Sequence, residues 1–466
     1  MKNSSPLKNR IIKSSSANVL GIVARIGNQL LIVPILLAYW SPELFGEWLM
    51  ITAIPTFLAL TDFGFIDAGS NELAKRSSES SPKEVQDFFN RYSVCFQRWS
   101  LFIALIICIA AFLLPLDKMM GLKLISSTDA SYIIIFLSLS VVVSQNNLSL
   151  LAGLRVQGKF HIGLLVRTGL SISQIFVTWC LVSLLKCSPI EVALSYFVLT
   201  ILAYVLQWTV LRHSGLQQTI NPFLTLPAGE SMKPYFLIGL EMMLMPLAQA
   251  LTLQGSVILV GKTLGPVIAA MYVTHRTLSR TSSSLLQVFA IPLRAEAGLL
   301  QKKADSELLT ATTNLLSSVT FWLSLLLSMV LMLIGGWIFE IWTHGEIVFY
   351  KELLIFLLLA VIAESLWRIP TSIRLGSNRH RPVAWGYLLF SILGLLLSYL
   401  LAPYYGLIGV VTGLVFIDVM MVVLAILTLR GIINIPIGKF LLNVVKPPIK
   451  EIKVLINRTF KKLVKG

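Results

Sequence analysis

The chain has 466 residues, 56% of them hydrophobic and only 13% charged, with a mean hydropathy of +0.81. Soluble domains carry about 25% charged residues, so the composition excludes a water-soluble globular protein and points to an integral membrane protein. The formal net charge of +16 would speak for nucleic acid only if the basic residues gathered on a soluble face. They stand between apolar runs instead, and no nucleic-acid partner is expected.

Apolar runs of spanning length fall at about 17–39, 45–69, 93–115, 131–153, 162–185 and 190–211. Six more fall at about 234–260, 264–292, 314–340, 350–373, 382–402 and 406–429. This spacing predicts an all-α membrane protein of about twelve transmembrane helices. It divides into a tail at 1–16, a six-helix lobe at 17–211, a linker at 212–233, a second six-helix lobe at 234–429 and a basic tail at 430–466. The N-terminus is basic (Lys2, Lys8, Arg10, Lys13), but no cleavage site ends a short apolar region, so the first run is expected to stay as a membrane helix.

Loop charge sets the orientation. The N-terminal tail, the segments around Lys75–Arg98, Arg155–Lys159, Arg212–Lys233, Arg294–Lys303 and Arg374–Arg381, and the C-terminal tail hold most of the Lys and Arg. The opposite loops carry only Lys118, Lys123, Lys186, Lys262 and Lys351. This asymmetry predicts that both termini are cytoplasmic. The tail from about 438 to 465 is basic and mildly amphipathic, which fits a segment lying on anionic inner-leaflet lipids.

The chain also repeats. Tyr39-Trp-Ser-Pro42-Glu-Leu-Phe-Gly46 recurs as Val260-Gly-Lys-Thr-Leu-Gly265-Pro266, and the same spacing carries the turn at 76–80 onto 300–304. Two halves in the same orientation imply a parallel repeat about an axis along the membrane normal, with substrate bound between the halves around a central cavity.

Five arginines lie at membrane depth: Arg25, Arg167, Arg276, Arg280 and Arg368. A guanidinium near mid-bilayer costs at least about 2.5–3.5 kcal/mol, so it faces protein or a water-filled cavity, or it snorkels to an interface. On a 3.6-residue period Arg276, Arg280, Ser283 and Gln287 share one face of the eighth helix. Asn18, Arg25 and Gln29 share a face of the first, and Arg167, Ser171 and Gln174 line up in the fifth. These residues line a charged cavity or form ion pairs; both readings stand at this point. Arginine's planar fork suits a phosphate and stays charged when partly desolvated.

Among the acids, Glu241 shares a face with Gln249 and Thr252 in the seventh helix, where Pro246 is expected to introduce a kink. Glu241 and Asp62 stand as candidate charge partners or coupling acids. The stretch from Asp62 through Asp67, Glu72, Lys75 and Arg76 reads as an interfacial salt-bridge cluster, with Gly64 and Gly69 allowing close helix approach. Glu364 and Arg368 are spaced to pair at i,i+4, and Asp418 has no evident partner. Cys95, Cys108, Cys180 and Cys187 lack metal-ligand spacing and read as small packing residues, Cys180–Cys187 pairing being the weaker alternative. No phosphate-binding glycine loop, zinc motif or nucleophile elbow occurs, and short outer loops leave no room for a catalytic domain. The residues therefore point to a transporter rather than an enzyme. Neither a metal nor a cofactor is expected.

Several short stretches carry a family resemblance: Ser41-Pro-Glu-Leu-Phe-Gly46, Leu60-Thr-Asp62-Phe-Gly64-Phe, Ala68-Gly69, Leu73-Ala74, Gly265-Pro266 and Tyr405-Gly-Leu-Ile-Gly409. With these the chain resembles the Wzx-type O-antigen flippases, which move lipid-linked oligosaccharides and belong to the multidrug/oligosaccharidyl-lipid/polysaccharide exporter superfamily. The resemblance implies an alternating-access transporter in the bacterial cytoplasmic (inner) membrane. Its substrate would be undecaprenyl-diphosphate carrying an oligosaccharide repeat unit of O-antigen or another surface polysaccharide. Arg25 and Arg276 match the places where such flippases hold the diphosphate, with Arg280, Gln29 and Gln287 beside them. A polysaccharide polymerase and a chain-length regulator are implied as partners. Coupling to a proton or sodium gradient is implied for the superfamily, although no acidic sodium cage is legible. The alternatives are a cation-coupled multidrug exporter of the same superfamily, which would favour an acid-rich cavity, and a membrane polysaccharide polymerase.

Overall fold

A computed structural model describes residues 4–62, 64–216, 218, 231–283, 306–376, 379–429 and 436–448. All regular structure among them is helical. In chain order the first half holds α1 (Ser4–Leu37), α2 (Pro42–Leu58), α3 (Phe65–Glu79), α4 (Pro82–Leu113), the short α5 (Leu116–Met120), α6 (Ser127–Val156), α7 (Phe160–Ser183) and α8 (Pro189–Arg212). Then come α9 (Lys233–Ala250), a π-helical turn (Leu251–Gly255), α10 (Ser256–Leu264) and a helix at 266–283, here α11. The last elements are α12 (Ser306–Thr343), α13 (Lys351–Gly376), α14 (Arg381–Leu429) and α15 (Ile437–Val445).

Nine stretches among the described residues are long and apolar enough to cross a bilayer. The last of them, Arg381–Leu429, has 49 residues, about 74 Å of helix and twice what a hydrocarbon core needs. It breaks at Gly406, whose φ of 56° and ψ of −136° lie outside any helix, three residues after Pro403. The chain thus makes two passes there. The helix α2, 17 residues long, and α11 complete the expected set. The fold is the all-α membrane architecture of about twelve helices in two lobes.

Local chemistry fixes the helix starts. Ser41 caps α2 by accepting the Leu44 amide at 3.2 Å, and Pro42 occupies the first turn, where no donor is lost. Ser81 and Glu84 form a reciprocal capping box on α4, at 3.3 and 3.4 Å. Pro246 lies inside α9, and five residues further the helix widens into the π turn.

The described chain divides into two compact units, Met1–Ala270 with Trp342–Ile347, and Met271–Ile341 with Val348–Gly466. In the first, α1 packs along α7, and α6 lies inside α2, α3, α4 and α8. The segment after the expected linker joins this unit, because α9 packs on α3 and α10 on α2. Phe236 of α9 stacks on Phe65 with centroids 4.2 Å apart, within a cluster that includes Tyr92 and Phe96. Gly69 lets Tyr92 of α4 lie against α3, where any Cβ would overlap the ring. Gly64 serves differently: it takes φ 67° and starts α3 from a left-handed turn.

In the second unit α13 packs along α14. The spans of α6 and α13 are the most deeply buried of the nine among the described residues. These are the fourth and tenth spans, corresponding positions in the expected repeat. The docked helix α15 places Phe440 and Val444 against Ile369, Ile373 and Leu429, and the indole of Trp322 donates to the Val445 carbonyl at 3.1 Å.

Candidate functional site

Within the first unit, α1, α6, α7 and α8 leave a cavity of about 250 Å³ at membrane depth. Arg25 of α1 and Arg167 of α7 both line it and act on each other electrostatically. Around them stand Asn18, Ser144, Thr168, Ser171 and Gln174. No carboxylate is among the described lining residues. Neither guanidinium has an ion-pair partner among the described residues.

The walls are held by hydrogen bonds across helices. Asn28 Nδ2 donates to the Ser171 carbonyl at 3.0 Å and to Gln174 Oε1 at 3.3 Å, tying α1 to α7. Ser140 and Thr200 join α6 to α8 at 2.9 Å. Gly21 keeps the cavity open; a Cβ there would lie 3.2 Å from Thr168 Oγ1 and 3.8 Å from an Arg25 guanidinium nitrogen. Such a pocket can receive an anion through charge and through hydroxyl and amide donors.

The second unit arranges its charge differently. Glu364 and Arg368 pair on α13, as the spacing predicts. The other Glu364 oxygen accepts Ser283 Oγ at 2.7 Å. Asp418 Oδ1 accepts the Trp367 indole N–H at 2.9 Å, and the guanidiniums of Arg280 and Arg368 act on the same carboxylate. The acid without an evident partner in the sequence therefore belongs to a cluster of two arginines and two carboxylates. Opposite charges meet here, whereas the first-unit cavity holds like charges.

The remaining predicted residues fall as follows. Arg276 on α11 lies over the Tyr272 ring, 5.1 Å from its centroid, and donates to its hydroxyl at 3.4 Å. Its neighbour His275 is buried between Phe339 and Phe349. The His275 Nε2 accepts the Tyr350 amide at 2.9 Å and Nδ1 donates to the Met271 carbonyl at 2.8 Å, so the ring is neutral and structural. Gln29 is exposed on α1 and does not line the cavity. Asp62 stands in the turn before α3, where its backbone carbonyl accepts the Phe65 amide at 2.8 Å. Glu72 and Arg76 pair at 2.8 Å, with Arg76 over Phe88. Gln287 and the side chain of Glu241 lie outside the described residues. All four cysteines are free thiols.

Sequence reasoning aligned Arg167 with Ser171 and Gln174 but did not join it to Arg25, because helical periodicity carries no information about a neighbouring helix. It also passed over Glu47, a fully buried carboxylate near the N-terminal end of α2. Glu47 accepts the Lys123 amide at 2.5 Å, Leu124 at 2.9 and 3.2 Å, and Ile125 at 2.8 Å. The available signal was an acid inside an otherwise apolar run.

Solved structures share this two-lobed helical architecture. An inward-facing MATE-family multidrug resistance transporter of the MOP superfamily superposes with a TM-score of 0.73 at 15% identity, covering 90% of this chain and 95% of that one. The lipid II flippase MurJ, in an inward closed conformation, gives 0.65 at 15% identity over 96% and 93%. An outward-facing MATE-family transporter gives 0.60 at 14% identity over 91% and 96%. The chain thus shares the fold of these MOP-superfamily proteins. The family model for polysaccharide biosynthesis proteins matches residues 11–292, and the chain belongs to that family. No curated protein matches it.

Proposed function

We propose that the protein is a flippase that carries undecaprenyl-diphosphate-linked oligosaccharide repeat units, of O-antigen or another surface polysaccharide, from the inner to the outer leaflet of the bacterial inner membrane. The observation that carries this reading is the acid-free cavity holding Arg25 and Arg167 in a polysaccharide-biosynthesis family member. A carrier of cationic drugs needs the opposite sign of charge. That a fold neighbour is a lipid II flippase supports a lipid-linked substrate.

In this reading Arg25 and Arg276 hold the diphosphate through bidentate hydrogen bonds, with Arg280, Gln29 and Gln287 alongside. Glu241 and Asp62 remain candidate charge partners or coupling acids. Transport runs by alternating access between lobes at 17–211 and 234–429, with both termini cytoplasmic. The basic tail rests on anionic lipid, and a polymerase and chain-length regulator take the product onward.

The test is reconstitution. Purified protein in liposomes should expose a lipid-linked oligosaccharide to the opposite leaflet without changing its mass. Release of free diphosphate or elongation of the glycan would count for a transferase or polymerase. Arg276→Ala should abolish translocation at normal abundance, and Arg276→Lys should recover part of it, since charge returns without the fork. Wild-type translocation by Arg276→Ala would remove that residue from the mechanism.

A further inference from the structure

In the second unit, the docked helix α15 and a groove beyond it share one stripe of α12. Ser318, Trp322, Leu325, Met329 and Met332 follow one another at three- and four-residue steps, so they stand on one face. At the N-terminal end of this stripe α15 is fastened by its main chain. The Trp322 indole donates to the Val445 carbonyl at 3.1 Å, and Ser318 Oγ donates to the Lys446 carbonyl at 2.7 Å. Further along, α12 and α13 enclose a groove of about 380 Å³, lined by Leu325, Met329 and Met332 on one wall and by Leu359 and Ile362 on the other. Ser328 is the one polar residue among its described lining residues. The groove is closed at both ends. At one the hydroxyls of Ser324 and Ser365 bridge the helices at 3.0 Å, and at the other Leu354 lies against Gly335.

We propose that this groove seats one acyl chain of an anionic phospholipid whose phosphate rests on Lys446. Met329 and Leu359 on its rim are exposed within an apolar span, where the solvent is hydrocarbon, so a chain and not water fills the space. From Ser324 to Gly335 the helix rises about 16 Å, close to the roughly 15 Å of hydrocarbon in one leaflet. Methionine's flexible thioether adapts to a chain that has no fixed shape. The headgroup end is set by α15. Its Phe440 and Val444 face the protein, Leu441, Leu442 and Val445 are exposed, and Lys439, Asn443 and Lys446 make a polar stripe, as in a helix lying in the interface plane. Lys446 is exposed and has no ion-pair partner among the described residues. The Val445 and Lys446 carbonyls, which would repel a phosphate at this helix end, are turned onto α12. The site is separate from the residues that the flippase reading assigns to the glycolipid, and its ligand is not the cargo.

The experiment follows the thermal unfolding midpoint of the purified full chain, stripped of lipid in mild detergent, against added lipid. The probes are dioleoyl phosphatidylglycerol, the zwitterionic dioleoyl phosphatidylcholine, the short-chain dihexanoyl phosphatidylglycerol and undecaprenyl phosphate. Dioleoyl phosphatidylglycerol should raise the midpoint at the lowest concentration of the four. Lys446→Gln should weaken it by about fivefold, the worth of one lysine beside an anionic lipid, and leave phosphatidylcholine unchanged. Leu359→Trp, which fills the groove, should weaken it by about tenfold or more, since a few displaced methylenes suffice for that. Lys262→Gln, at an exposed lysine of the other unit, should bind as the wild type does.

The side chains of Lys446 and Leu359 are both exposed, so the fold should tolerate these changes. Where Leu359→Trp lowers the lipid-free midpoint, Met329→Trp on the opposite wall takes its place. The proposal is overturned if phosphatidylcholine stabilises as well as phosphatidylglycerol, if the short-chain lipid serves as well as the long, or if Lys446→Gln or the tryptophan variant binds as the wild type does. It is also overturned if undecaprenyl phosphate displaces phosphatidylglycerol at lower concentration, because the groove would then belong to the tail of the cargo. Failure of the flippase reading looks different: Lys446-dependent phospholipid binding would persist while the liposomes show no glycolipid translocation.

Discussion

Glu364 and Arg368 show what a charge at membrane depth requires of its surroundings. The carboxylate is shared between Arg368 and Ser283, and the guanidinium is shared between Glu364 and the field of Asp418. Removing one partner of a buried pair costs about 3–5 kcal/mol, because the other is left uncompensated. Glu364→Gln should therefore lower the unfolding midpoint and the membrane abundance of the protein sharply. Joint replacement by Glu364→Leu and Arg368→Met should recover much of that loss, since two well-packed apolar residues replace the pair. A double variant less stable than either single one would show that the cluster has another organiser. Trp367 is the candidate for that role, through its bond to Asp418.

Among elements, the meeting of α2 with the turn at 265–266 is the tightest. The Pro266 carbonyl lies where a Cβ of Gly46 would stand, and Met50 of α2 covers Gly261 of α10 in the same way. The contact at Gly46 is with backbone, so relief there must come from moving a helix, whereas the Met50 side chain can give way at Gly261. Gly46→Val should cost about 1–3 kcal/mol through overpacking, read as a lower unfolding midpoint in detergent. A wild-type midpoint would mean that α2 and the turn separate readily, and that their contact is not a structural one. These segments are the two members of the sequence repeat, with Pro42 opening α2 and Pro266 opening α11. The repeat was legible because each copy needs the same helix-starting proline.

For the whole molecule, hydropathy made the spans readable in advance, since a bilayer imposes one length on every pass. The double pass within α14 was legible from Pro403 and Gly406. The i,i+4 pair on α13 was legible because both members share a helix. The cavity was not. Its arginines are far apart in sequence, and Asn28 faces α7 from one residue beside the face drawn through Arg25 and Gln29. The partners of Asp418 were equally hidden, on α13 and α11. The topology itself is tested by cysteine labelling at Ser127 and Ser306, the first residues of α6 and α12. In whole cells an impermeant reagent should reach the first and not the second. The reverse pattern would invert the orientation.

Glu47 has a further consequence at the N-terminal end of α2. Its carboxylate collects the amides of three successive residues, Lys123 to Ile125, and Glu43 adds an ion pair to Lys123 at 3.5 Å. A short connection before α6 is thereby fastened to α2 through its own main chain. In hydrogen–deuterium exchange, those three amides should trade protons as slowly as helix interiors, although they belong to a loop. Protection of that kind ends only when α2 and the loop part company. Their exchange rates in the resting and substrate-loaded protein would therefore serve as a clock for motion at that end of α2, built into the chain without any added label.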